Sequence, residues 1–163
     1  MFEPLTLSAA LFLASSSLVQ ERSGLLDAVR IAERTTRGQV MEVEAESGSS
    51  GRLNYELEVL VGGEIRELRI DSRSGRITTT STNKLVSWVR NLFASDRTMR
   101  DFKPLSAIIV GLEKQSGGTV TEVEFEDDDH HLHYQIDIST SAGSASLYID
   151  PISGQRLGFA LED

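Results

Sequence analysis

The sequence predicts an α+β protein of two tandem modules, each one helix packed on a three- to four-stranded antiparallel sheet, joined by a linker helix. Three observations carry this. Blocks of residues recur in the same order at an offset of about 80 positions. In each copy an apolar stripe at helical spacing precedes the first block. After it, apolar and polar residues alternate with period two, as in a sheet with one buried and one wet face. A helix with one apolar stripe and a sheet with one apolar face bury each other most simply by stacking.

Residues 1–22 precede the first copy. Pro4 to Gln20 carries no charge, and Leu5 to Ala14 resembles the apolar core of a signal peptide. The small residues Ala14-Ser15-Ser16-Ser17 would suit cleavage. Glu3 stands where a basic residue is expected, so a retained packing helix is the competing reading. The run is too short for a stable membrane span.

The first copy occupies residues 23–80. Leu25, Ala28, Val29 and Ala32 stand at i, i+3, i+4 and i+7, with Ser23 placed to cap the helix. Strands follow Gly38: Met41, Val43 and Ala45 share one face, then Leu53, Tyr55, Leu57 and Val59, then Leu68 and Ile70. A short fourth strand is expected over residues 76–79. Residues 47–51 separate the first two strands, Gly62-Gly63 signals a tight hairpin, and Asp71-Ser72-Arg73-Ser74-Gly75 is a turn.

Residues 81–102 form the expected linker helix. Leu85, Trp88, Val89 and Leu92 lie on one face of it. That surface packs between the modules, or Trp88 docks it into a partner's groove. The second copy, residues 103–163, repeats the first. Leu105, Ile108, Ile109 and Leu112 give the helical stripe behind Pro104. Gly118-Thr119-Val120-Thr121-Glu122-Val123-Glu124-Phe125-Glu126 matches Gly38-Gln39-Val40-Met41-Glu42-Val43-Glu44-Ala45-Glu46. Tyr134-Gln135-Ile136-Asp137-Ile138 matches Tyr55-Glu56-Leu57-Glu58-Val59, and Leu147-Tyr148-Ile149-Asp150 matches Leu68-Arg69-Ile70-Asp71. Ala142-Gly143 stands where Gly62-Gly63 does, and a last strand is expected over residues 155–160.

Composition narrows the function. The net charge is −9, without the basic footprint that nucleic acid requires. There is no cysteine, which excludes disulfides and thiolate chemistry. No phosphate-cradling glycine loop, zinc-protease helix or nucleophile elbow is present. The expectation is a non-catalytic chain with no cofactor.

Helix, small-residue break, Val-x-Glu-Val-Glu, Tyr-x-Leu/Ile-x-Val/Ile and a closing Ile-Asp-x-x-Ser-Gly turn resemble the PepSY module, over residues 23–79 and 103–160. That family occurs in propeptides of thermolysin-like metallopeptidases and in bacterial envelope proteins. The resemblance implies a helix on an antiparallel sheet, a periplasmic or extracellular location rather than a cytoplasmic one, and a role in restraining peptidases. It implies no catalytic residues. A protein partner, such as a peptidase, is therefore expected. An envelope module that only forms structure or homo-oligomers is the alternative, and a cation-binding accessory a third.

Two constellations are candidates for binding. Glu42, Glu44, Glu46, Glu56 and Glu58, with Glu122, Glu124, Glu126 and Asp137, fall on the wet face. They would dock a basic segment or a cation; otherwise they form a solvated face. His131 and His133 point one way along a strand, as a two-histidine metal site needs, but spacing fixes no third ligand. If residues 127–130 close the hairpin symmetrically, Glu126 faces His131, Glu124 faces His133 and Phe125 faces Leu132. The histidines would then neutralise the glutamate row.

Overall fold

Leu25, Ala28, Val29 and Ala32 are buried on one face of α1 (Leu25–Thr36), and Leu105, Ile108 and Ile109 on one face of α2 (Leu105–Ser116). The computed structural model describes residues 24–48, 51–80, 101–128 and 131–161. Ser23, the segment 1–22 and the expected linker helix as far as residue 100, with Trp88, lie outside the described residues. Neither helix has a side-chain cap of its own: α1 starts after Gly24 and α2 after Pro104. Each ends in a left-handed residue, Arg37 at φ 55° and Gly117 at φ 68°. The N–H of each donates back to Glu33 or Glu113, closing the last turn.

The strands are β1 (Gln39–Ser47), β2 (Leu53–Val61), β3 (Glu64–Asp71), β4 (Ile77–Thr80), β5 (Thr119–Asp128), β6 (His131–Thr140), β7 (Gly143–Ile149) and β8 (Arg156–Leu161). They do not form two separate sheets. They form one antiparallel sheet in the order β4-β3-β2-β1-β5-β6-β7-β8. The seam is the β1–β5 pair, where Val43 stands opposite Val123. These residues match in the repeat, 80 positions apart, so a pseudo-two-fold axis passes between them. Both first strands are bulged at matching places, between Val40 and Glu42 and between Val120 and Glu122.

Both helices pack on this one sheet, and their buried residues belong to a single core. It holds Ala28, Val29 and Ala32 from α1, Leu105 and Ile109 from α2, and Val43, Leu57, Ile70, Val123, Ile136 and Ile149 from the sheet. Modules of roughly 60 residues are marginal alone, and sharing a core answers that. Tyr55 and Tyr134 occupy matching positions and are both buried, deeper than the half-burial usual for tyrosine. The Tyr134 hydroxyl crosses the seam: it donates to Val40 O at 2.9 Å and accepts from Gln39 Nε2 at 3.0 Å. Glu33 of α1 crosses it too, accepting from Ser106 N (3.1 Å) and Ser106 Oγ (2.6 Å) in the first turn of α2. It supplies the cap that Pro104 cannot. Met41 joins Leu60, Ile65 and Phe102 in a smaller cluster, because the bulge takes it out of alternation with Val43. Ala45, expected on the core face, is exposed.

The aspartate turns are structural. Asp71 Oδ1 accepts from Arg73 N (3.1 Å), Ser74 N (2.7 Å) and Ser74 Oγ (2.8 Å). Asp150 Oδ1 accepts from Ile152 N (3.0 Å), Ser153 N (2.6 Å) and Ser153 Oγ (3.0 Å). The bonds from Ser74 hold the Asp71 carboxyl below the usual carboxylate range. Gly62-Gly63 turn the first module's β2–β3 hairpin at φ 60° and 89°. In the second module the turn is Ser141-Ala142, one residue earlier than expected, with Thr140 paired to Gly143.

Candidate functional site

The seam assembles the acidic residues. Within the first module Glu42 stands opposite Glu58 and Glu44 opposite Glu56. Within the second, Glu122 stands opposite Asp137 and Glu124 opposite Gln135. Antiparallel pairing about Val43 and Val123 sets Glu42 beside Glu124 and Glu44 beside Glu122. Two rows therefore cross β2-β1-β5-β6: Glu58–Glu42–Glu124–Gln135 and Glu56–Glu44–Glu122–Asp137. Six of the eight glutamates singled out as binding candidates lie in these rows; Glu46 stands opposite Asn54 and Glu126 opposite His133, farther along β1 and β5.

Like charges side by side on a sheet destabilise it. The strain concentrates on Glu42, whose carboxyl is pushed up to about 7 by burial first, then by Glu58, Glu124, Glu44 and Glu122. Cationic relief comes from Arg69 on β3. Its Nε donates to Glu56 Oε1 at 2.8 Å, and its Nη2 reaches both Glu46 Oε2 at 3.0 Å and Glu56. Arg69 was not among the sequence candidates, although its place between Leu68 and Ile70 puts it on the wet face. The second module has Tyr148 at the matching position, opposite Gln135. Asp137 instead accepts from Ser146 Oγ at 2.7 Å. The result is an open groove lined by Glu42, Glu44, Glu56, Glu58, Glu67 and Arg69.

Glu42→Gln is expected to stabilise the fold at alkaline pH and change little at acid pH. Below the ordinary value of 4.5 the group is protonated in both folded and unfolded chains. As pH rises towards 7 the unfolded chain ionises first, so the cost of folding grows, then stays constant above about 7. The full shift corresponds to about 3 kcal/mol, which solvent screening of this partly exposed group reduces to about 1–2 kcal/mol. Urea denaturation of both proteins at pH 4 and pH 8.5 checks this: a gain equal at the two pH values, or none, contradicts it.

The histidines sit differently from the symmetric-hairpin expectation. His133 stands opposite Glu126 and His131 opposite Asp128, while Phe125 stands opposite Tyr134 and Asp127 opposite Leu132. The reason is that β5 continues through Asp128, so two of the three aspartates are strand residues rather than loop. Phe125 and Tyr134 then meet edge to face at 5.3 Å. His133 is nearly buried: its ring lies 5.5 Å from that of Tyr148 and its Nδ1 3.2 Å from His131 O. Among the described residues, no three metal-ligating side chains gather around His131 and His133.

The family model described as PepSY, peptidase propeptide and YPEB domain, matches residues 25–80 and 108–158. Comparison with curated proteins finds no match. Among solved structures the chain is similar to a Clostridium difficile 630 protein described as a "putative lipoprotein". The identity is 15%, the TM-score is 0.45, and the alignment covers 86% of this chain and 94% of that one.

Proposed function

Because the chain belongs to the PepSY family, matched over both of its modules, we propose that it acts by binding another protein through the acidic face of its sheet. The partner's docking segment is basic, and a peptidase is the class that the family's description favours. The observation carrying this reading is the pair of carboxylate rows brought together by the seam. The rows are two residues apart along the strands, roughly 7 Å, which is the spacing of alternate side chains in an extended peptide. A strand-like segment with basic residues at alternate positions would meet both rows at once. Such a face steers an oppositely charged partner and fixes its register. The role is recognition rather than catalysis, since these carboxylates lie on an open sheet face. The location is outside the cytoplasm, which the leader-like residues 5–17 support.

Anisotropy titration with a labelled peptide of alternating lysine and serine tests the docking face. Wild type is expected to bind, and Glu44→Gln/Glu124→Gln to bind at least about tenfold more weakly, about 1.4 kcal/mol. Affinity should also fall with added salt. Equal affinity of the two proteins would remove the acidic face from the mechanism. A parallel assay adds each protein to a thermolysin-like metallopeptidase. Inhibition by wild type that weakens in the variant assigns the partner class, and inhibition that survives the substitutions separates it from this face.

A further inference from the structure

We propose that the groove on the wet face of the second module is an arginine subsite, which takes the guanidinium of one residue of the basic docking segment. This rests on the reading of the acidic face given above and adds the residue type at one position. The groove is lined by Glu126, Asp128, His133, Gln135, Tyr148 and Gly158. Leu157, beside Gly158, also lines it and is exposed, as are Phe159 and Leu161 farther along β8. The Tyr148 ring is the apolar wall, with the His133 ring set edge to face against it at 5.5 Å. Glu126 and Asp128, at alternate positions of β5, supply the negative charge.

The first module shows which group occupies this place. There Glu46 stands opposite Asn54, and Arg69 stands opposite Glu56 on one side and Thr78 on the other. The Arg69 guanidinium lies between Glu46 and Glu56 and bonds to both. In the second module Glu126 stands for Glu46 and His133 for Asn54, while Gln135 stands for Glu56, Tyr148 for Arg69 and Gly158 for Thr78. The outer carboxylate is kept, and the guanidinium that neutralises it is not. Among the described residues no cation pairs with Glu126. Arg156, the cation of β8, stands over the Phe159 ring at 5.7 Å instead. Gly158 keeps the place open: a Cβ there would already lie 3.4 Å from Tyr148 Cδ2, so a side chain would cover that flank of the ring. A guanidinium both stacks on an aromatic ring and donates in a planar fork to a carboxylate, which an ammonium cannot do, so arginine fits better than lysine. Leu157 offers apolar surface to its aliphatic stem. The groove is open to solvent, which suits a side chain delivered by a docked segment rather than a free small molecule. Glu122, Glu124 and Glu126 follow one another at alternate positions of β5, about 7 Å apart. A strand-like segment that meets the two carboxylate rows therefore brings its next alternate residue to the groove.

Anisotropy titration compares the lysine–serine peptide with two versions that carry arginine in place of the first or the last lysine, since strand direction decides which end reaches Glu126. One arginine peptide is expected to bind wild type about fivefold more tightly than the all-lysine peptide. Tyr148→Arg, which installs the first module's residue and fills the groove from within, should bind all three peptides alike. Glu126→Gln, a surface change that leaves Tyr148 in place, should do the same. Equal affinity of wild type for the three peptides overturns the subsite and leaves the acidic face standing, and an arginine preference that survives both substitutions also overturns it. NMR titration with N-acetylarginine methylamide reads the groove without the carboxylate rows. Shifts centred on Gly158 and Tyr148 that the citrulline analogue does not produce support the subsite, and if no peptide binds they leave it standing while the docking reading falls. Shifts centred on Glu42 and Glu44, or none at tens of millimolar ligand, overturn the subsite.

Discussion

Ile136→Ala is expected to destabilise the protein by about 2–5 kcal/mol, and Leu57→Ala by a similar amount. Both side chains are buried, Ile136 at 0% exposure and Leu57 at 2%. They belong to one apolar row that spans the seam from Leu68 to Leu147: Leu57 stands opposite Leu68 and Val43, Val43 opposite Val123, and Ile136 opposite Val123 and Leu147. The helices pack above this row, so a truncated side chain leaves a cavity that the backbone cannot close without breaking a ladder. The total stability of a domain is about 5–15 kcal/mol, so either change removes a large share. Because the core is shared, each variant should lose both modules in one transition. Urea denaturation followed by circular dichroism and by hydrogen exchange checks this. Wild-type stability in either variant, or separate transitions for the two halves, would contradict the shared core.

Gly38→Ala and Gly118→Ala are expected to cost about 1–3 kcal/mol each, or more. A Cβ at Gly38 would lie 2.6 Å from Leu60 O, 2.7 Å from Val61 Cγ2 and 2.8 Å from Val59 Cγ1. At Gly118 it would lie 2.7 Å from Ser139 O and 2.8 Å from Thr140 Cγ2. A backbone carbonyl of a paired strand cannot swing aside as a side-chain tip can. Both glycines are also held in place: Gly38 N donates to Thr36 Oγ1 at 3.0 Å and Gly118 N to Ser116 Oγ at 3.1 Å. The hydroxyls in turn donate to Ala32 O and Leu112 O, each at 2.8 Å. This small latch brings helix and sheet into contact at the same point of each repeat. Gly111→Ala is the control: it is helical, a Cβ there meets nothing within 4 Å, and it should be stabilised by about 0.5–1 kcal/mol. Thermal melts of the three variants separate the steric effect from a general intolerance of alanine.

What the sequence made legible was local. The stripe Leu25, Ala28, Val29, Ala32 and the alternation at Tyr55, Leu57, Val59 each report one element's own face, and both were read correctly. The Asp71 and Asp150 turns were legible for the same reason, since each closes on residues two and three positions away. The joining of two sheets into one was not. Edge pairing depends on which strand ends lie open, and no pattern inside β1 or β5 distinguishes a paired edge from a bare one. The acidic residues could be placed on the wet face, but their gathering into two rows needed the Val43–Val123 register. The histidine register was misjudged because aspartates usually mark loops, whereas Asp127 and Asp128 extend a strand here. Arg69 was missed because its charge looked ordinary until Glu46 and Glu56 were seen to converge on it.

The Val43–Val123 axis also bears on why the repeats are carried on one chain. Two free modules meeting across a seam lined by Glu42, Glu44, Glu122 and Glu124 would have to overcome charge repulsion at their cellular concentration. Covalent connection replaces that concentration with a higher, effective one. A seam too repulsive to hold separate subunits is then still closed. Tethering also frees each half from having to be self-complementary. Arg69 of one half corresponds to Tyr148 of the other, and Thr79 to Phe159, as counterparts that no longer match. A true homodimer must repeat every change on both sides of its axis, whereas this chain can make one half a charged face and give the other an apolar edge.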